Sequence, residues 1–261
     1  MLFKLRFAKP YIINKLETAS ILSGIPKKEI WGWNVDAWRY PFVNSKEVAK
    51  TLDRRQMKIL EIGAGKYSQV AYEFDKTYSN ITISYFDEAS KAEIQSKFET
   101  IKRDYKLLSN YNISKIDVTK ISGKYDVIIL KSVLGGIFRE KSFQNAEKLC
   151  KNLVNKNLNN GGILVTIDNG KSIFERLMAN FGARKNGWHY ILINELNMAT
   201  EQIGFGFFSF VSVSIRLGKF GNWVEKLMYL MDLIMYHLIK SHQTVICSVF
   251  VCQNDSIKKR K

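Results

Sequence analysis

Apolar positions along this chain follow two rhythms. Short apolar runs, Ile59-Leu60 with Ile62, Tyr125 to Leu130 and Ile163 to Ile167, read as buried strands, and Ile81 to Phe86 as a β-rich one. Between them, Ser68 to Lys76, Ala89 to Leu108 and Lys141 to Asn157 read as helices. The last shows the spacing most openly, with Ala146, Leu149, Cys150, Leu153 and Val154 on one side. A weaker strand, Ile113 to Val118, falls between the second helix and the run at Tyr125. Strands alternating with helices through Asp168 predict an α/β fold with a doubly wound parallel sheet.

Two stretches stand apart from this rhythm. Residues 1–50 carry no strong strand pattern: Tyr11 to Ser23 can be a helix, broken at Pro26, and then comes Trp31-Gly-Trp33-Asn-Val-Asp-Ala-Trp38-Arg-Tyr40. An aromatic loop of this density can stack on a planar substrate or pack as a cap on the core. Near the other end, Trp223 to Ile239 places Glu225, Tyr229, Asp232 and Tyr236 on one helix face, with apolar residues filling the rest. With about 17 residues and internal charges it is short and polar for a spanning helix. A lid over a substrate site, a homodimer interface and a peripheral membrane contact are its three readings.

The first strand runs straight into a turn, Glu61-Ile-Gly63-Ala64-Gly65. Glycines there let the chain turn sharply and let backbone N–H groups approach a ligand. The dinucleotide fingerprint wants a third glycine three residues later, where Ser68 stands. Asp87 ends the second strand, 22 residues past Gly65. That is close to the roughly 20-residue spacing at which an acid meets a ribose diol. Asp87 and Glu88 both qualify, and register by strand end favours Asp87.

An acid two positions before the first glycine, followed by this ordered series, resembles class I S-adenosylmethionine (SAM) methyltransferases of the ubiquinone-methylase-like group. The resemblance covers roughly residues 55–252. It implies a Rossmann-like, seven-stranded, mostly parallel sheet with an antiparallel last strand. Asn159-Asn-Gly-Gly162 resembles the turn into strand five, Phe207 to Ile215 would be strand six, and Thr244 to Val251 the antiparallel strand seven. It also implies a cap over residues 1–50 and a SAM-binding domain over 51–261, with a helical insertion at 217–243. The implied cofactor is SAM, with S-adenosylhomocysteine as product. The residues implied to hold it are Glu61, Gly63, Ala64, Gly65, Asp87, Glu88, Asp117, Val118, Lys131 and Ser132. Lys131-Ser132 departs from the Asp or Asn that many members carry after strand four.

Composition adjusts this picture only slightly. A chain of 261 residues, 46% hydrophobic and 25% charged, can bury a substantial core. Its net charge of +16 suits polyanionic partners, but the lysines are scattered apart from the run Lys258 to Lys261. Cys150, Cys247 and Cys252 have neither disulfide-framework nor zinc spacing, and no cluster predicts a metal. The first residues lack the apolar centre of a signal peptide, so a cytoplasmic protein is expected, with the Trp223–Ile239 helix as the one route to the inner membrane.

Methyl transfer to oxygen calls for a general base. Of His189, His237 and His242, the first follows Trp188 in a loop that faces the crevice in this fold, which makes it the first candidate. Asp168, at the end of strand five, is the second. The expected activity is O-methylation of a sugar, glycan or other small polar metabolite. An RNA methyltransferase is one alternative, opposed by the lack of an Asn/Asp-Pro-Pro-Tyr-like tetrapeptide at residues 131–134. A non-catalytic SAM-binding partner subunit is the other.

Overall fold

The computed structural model describes residues 6–7, 25–31, 35–65, 68–138, 144–171, 189–192, 195–205 and 245–253. The readings of Tyr11–Ser23, Trp33, Trp188, Phe207–Ile215, Trp223–Ile239, His237, His242 and the basic tail fall outside them. No described helix is long and apolar enough to cross a membrane.

Among the described residues eight strands form one sheet: β1 (Arg6–Phe7), β2 (Lys58–Ile62), β3 (Asn80–Tyr85), β4 (Asn110–Lys115), β5 (Tyr125–Lys131), β6 (Leu158–Asn169), β7 (Glu201–Phe205) and β8 (Val245–Val251). Their order is β1-β7-β8-β6-β5-β2-β3-β4. Strands β2 to β6 are mutually parallel, while β8 runs antiparallel to both β6 and β7. Strands β2–β8 are the expected seven, with the last one antiparallel. The two-residue β1 adds in parallel to the outer edge of β7.

The described strand on the outer side of β8 is Glu201–Phe205, where Ile203, Gly204 and Phe205 lie in the ladder opposite Cys247, Ile246 and Val245. One expectation needs refining. The segment after the glycine turn, Val70–Thr77, is a 3-10 helix. Glu61 holds its start through the N–H groups of Val70 and Ala71. Near its other end, Asp75 accepts from the N–H groups of Leu108 and Ser109 and from the Tyr111 hydroxyl. The 3-10 form rises about 2 Å per residue against about 1.5 Å, so it covers more length between such anchors.

Alternation along each strand sends side chains to two apolar clusters. On one face Ile59, Val127, Ile129, Val165 and Ile167 pack with Tyr72, Phe74 and the N-terminal helices α1 (Lys27–Trp31), α2 (Val35–Val43) and α3 (Lys46–Leu52). Helix α4 (Glu88–Asp104) lies on the same side through Ile94 and Ile101. On the other face Leu60, Ile128, Leu130 and Leu164 pack with α5 (Leu134–Ile137) and α6 (Gln144–Asn152). Trp31 is wholly buried, with its ring 5.2 Å from that of Phe42, and Trp38 is only 3% exposed. The two tryptophans are therefore packing residues. The buried Glu73 carboxylate pins both helices, accepting from Trp31 Nε1 at 2.6 Å and Arg39 Nε at 2.7 Å. Burying Ile30, Trp31 and Phe42 is worth about 1.5–3 kcal/mol each, too much for α1 and α2 to act as a loose lid.

Candidate ligand site at the carboxyl ends of the strands

The two ends of the sheet differ in how they spend their polar groups. At the amino ends, Asp126 accepts from Lys58 N, Arg54 and Asn159. The carboxyl ends keep unspent groups, and they flank the point where the chain's winding reverses, between β2 and β5. Ligands of open α/β sheets bind there.

The glycine turn follows β2. Gly63 has φ of +69°, and a Cβ there would lie 2.8 Å from Val133 Cγ2, so the loop after β5 closes against it. Gly65 is different: an added Cβ meets nothing within 4 Å. The N–H groups of the turn are spent inside the chain. Gly63 donates to Ser84 Oγ, Ala64 to Ser84 O, and Gly65 to Ser68 O. This turn is therefore not a nest of free N–H groups of the kind that holds a phosphate. Glu61, 1% exposed, gives both oxygens to Val70 and Ala71 N–H at 2.8 Å. Burial pushes its carboxyl up to about 7, against the pull of those N–H groups and of Lys131 and Lys97.

Asp87 caps α4, its Oδ1 accepting from Ser90 N at 2.8 Å. The Ser90 N–H holds the exposed carboxyl below its ordinary range. Glu88 is exposed too, but it faces Lys91 and Lys115 at 3.7 and 3.9 Å. Beside them Phe86 is 77% exposed, the most exposed of the large apolar side chains described. After β4, Asp117 folds into a turn on Thr119, whose N–H and hydroxyl it accepts, and its carboxyl is held low for that reason. Val118 is buried against the second cluster.

After β5, Ser132 sits in the left-handed region at φ 54° and donates its N–H to Ile167 O. Lys131 extends onto the face covered by the N-terminal helices. Its Nζ lies 4.3 Å from the centre of the Trp38 ring. Burial pushes the ammonium down to about 8, while Glu61 and Asp168 pull it up. Asp168 ends β6 on the opposite face, 1% exposed, with Oδ1 3.5 Å from Gly135 N. Burial pushes this carboxyl up to about 7, opposed by the N–H groups of Gly135, Leu134 and Val133.

His189 meets the same turn as Asp168. Its N–H donates to Gly135 O, and a Cβ on Gly135 would lie 2.3 Å from His189 O. Its ring is mostly buried, with Nε2 2.9 Å from Glu195 Oε1. Glu195 is the orienting group: burial raises its carboxyl, but the His189 ring and Leu192 N–H outweigh that and hold it below the ordinary range.

All the expected residues of this end are thus described. Glu61 through Gly65, Asp87, Lys131 and Ser132 lie at the carboxyl ends of β2, β3 and β5, with Asp168 and His189 beside the Gly135 turn. Sequence reasoning missed Trp38 as the roof of Lys131, Phe86 beside Asp87, and Glu195. Glu195 is six residues from His189 and had a local signal. The Trp38–Lys131 pair is 93 residues apart and had none.

No protein-family model matches the chain, and no curated protein matches it either. Solved structures do. A Galdieria sulphuraria protein provisionally named a sarcosine dimethylglycine methyltransferase is similar with a TM-score of 0.53 and 14% identity, over 79% of this chain and 83% of that one. The cyclase SpnF is similar at 0.51 and 11% identity, over 88% and 85%. TehB from Haemophilus influenzae gives 0.48 at 14% identity over 80% of this chain, which spans 60% of TehB. At such identities the likeness establishes the fold, and the reaction has to be argued from the site.

Proposed function

We propose that this chain, which has the fold of the class I SAM-dependent methyltransferases, is itself such an enzyme and methylates an oxygen of a small polar acceptor. The observation that carries the reading is the crevice between β2 and β5. A tight glycine turn with its N–H groups already spent, an exposed acid ending β3 and an exposed Phe86 beside it suit an uncharged nucleoside better than a phosphate.

In this reading Asp87 accepts the ribose hydroxyls through its second oxygen, while Phe86 offers the purine a flat apolar face. Asp117 and Val118 border the base. Gly63, Ala64 and Gly65 give the ligand close backbone approach, and the main chain of Lys131-Ser132 lines the far wall. Glu61 acts one step back by fixing the shape of the loop. When bound, SAM supplies an activated methyl group, and the protein aligns and desolvates the acceptor. His189, oriented by Glu195, takes the acceptor's proton, with the neighbouring Asp168, pushed up to about 7, as the second group able to do so.

A sugar or glycan stays within the proposed acceptor class. Burial of Trp31 and Trp38 withdraws these two residues from any stacking role in holding it. RNA is the second reading, favoured by the +16 charge. A steep fall of affinity with salt in a mobility-shift assay would support it.

The test is calorimetric titration with SAM and S-adenosylhomocysteine. Asp87→Ala would also remove the cap of α4, at about 1 kcal/mol. Asp87→Ser keeps a capping oxygen but cannot hold a diol with a carboxylate. Binding to the wild type that is lost in both variants supports the site, and no binding to the wild type sinks the reading. Donor binding without turnover on any acceptor would favour a non-catalytic SAM-binding subunit.

A further inference from the structure

Where an acid or amide is common after this strand in the resembled fold, Lys131 brings a cation to the crevice. Its ammonium lies 4.3 Å over Trp38 and makes no ion pair or hydrogen bond among the described residues. Of the carboxylates around it, Glu61 gives both oxygens to backbone N–H groups, while Asp168, on the other face of the sheet, turns Oδ1 to the Gly135 N–H and keeps Oδ2 without a hydrogen-bond partner among the described residues. From α4, Lys97 adds a second positive charge near Glu61. A second donor lies in the ring beneath it: Trp38 Nε1, buried, has no hydrogen-bond partner among the described residues. A half-buried ammonium and a buried indole N–H, both donors only and carried by two side chains in contact, lack an acceptor among the described residues.

We propose that Lys131 Nζ and Trp38 Nε1 recognise an anionic group, a carboxylate or a phosphate, on the methyl acceptor. The word acceptor rests on the methyltransferase reading, but anion recognition does not. The ring beneath the ammonium holds the charge in place by cation–π attraction. The ligand's oxygens then satisfy both donors in a setting poor in water, where charge-assisted bonds are strong. The long-range field of a +16 chain draws such acceptors in.

The test uses benzoate, phenyl phosphate and the neutral benzamide as probes. Each is titrated calorimetrically into the full chain, alone and saturated with S-adenosylhomocysteine. The expected result is binding of at least one anion and not of benzamide, weakened roughly tenfold to a hundredfold in Lys131→Met. Lys131→Arg should retain part of it, and Trp38→Phe, which keeps a ring but removes the N–H, should lose less than Lys131→Met. Benzoate against phenyl phosphate decides which anion is meant.

Equal binding of benzamide, anion binding unchanged in Lys131→Met, or no anion binding to the wild type overturns the proposal. If Lys131→Met does not fold, NMR of carbon-13-methylated lysines gives the answer in the wild type. The resonance missing from Lys131→Arg must then shift on adding the anion, and a resonance that stays put overturns the proposal. Anion binding at Lys131 in a protein that ignores S-adenosylhomocysteine would refute the methyltransferase reading alone.

Discussion

The half of the site proposed to hold the donor and the half proposed to hold the acceptor are built in different ways. Around β2, β3 and β4 the geometry is local and made of backbone. Gly63 takes the left-handed conformation, Asp87 caps the helix that follows it, and Asp117 folds onto a residue two further on. Around β5 and β6 it is made of side chains that meet from far apart. Trp38 roofs Lys131, and Gly135 seats the main chain of His189. The lesson is that the donor half can be read from spacing alone. The acceptor half, which would choose the substrate, exists only once the chain has folded.

Substitutions at the glycines test that division directly. The largest effect is expected at Gly135→Ala. The new methyl would lie 2.3 Å from His189 O, which belongs to backbone and cannot swing aside. A cost of about 3 kcal/mol or more is expected from forced backbone movement, read as a fall in the urea midpoint. Gly63→Ala should cost about 1–2 kcal/mol for its left-handed backbone, plus crowding against Val133 Cγ2 at 2.8 Å. Adding Val133→Ala should recover only the crowding. If Gly135→Ala were as mild as a surface change, His189 would not depend on that seat, and the acceptor half would lose its rigid floor.

Buried acids provide the next test, through pH. Glu61 and Asp168 are both pushed up to about 7 in the folded chain by burial. The folded state therefore binds more protons than the unfolded state between about pH 4 and pH 7. Their stabilising contribution is complete below the unfolded carboxyl range and is lost as pH rises through 7. Glu61→Gln removes one share of that loss, up to about 3 kcal/mol, so its stability should vary less between pH 5 and 7.5 than the wild type's. Equal slopes would mean that Glu61 ionises in the folded chain as it does in the unfolded one. A smaller effect is expected at Glu195→Gln. Losing the 2.9 Å charge-assisted contact to His189 should cost about 1 kcal/mol in thermal unfolding.

The same division explains how much the sequence could reveal. Strands β2, β5, β6 and β8 were legible because their apolar runs are buried on both faces, and β3 because Ile81, Ile83 and Tyr85 make a β-rich run. Strand β7 was not legible as a strand, since Glu201-Gln-Ile-Gly-Phe205 has no unbroken apolar run, and pairing with β8 defines it. The helix after the glycine turn was legible as helical but not as 3-10, since its form depends on anchors at Glu61 and Leu108. Asp87 was found by spacing, and its capping role agrees with that position. The tryptophans were visible as a cluster, but burial could not be read from composition, because an aromatic loop and an aromatic core share the same residues.

Gly65→Ala sharpens the comparison most finely, because it should separate fold from ligand within one motif. Gly65 has no left-handed φ, and an added Cβ would meet nothing within 4 Å. The folded chain should therefore accept the methyl, with a change within about 0.5 kcal/mol or a slight gain from a stiffer unfolded chain. If the open space beside Gly65 belongs to the donor, the same methyl must weaken S-adenosylhomocysteine, since the close approach that glycine permits is gone. Unchanged melting with weakened binding would place the ligand against this residue. Unchanged melting with unchanged binding would move it away from Gly65, leaving Gly63 as a structural glycine whose requirement comes from Val133 alone.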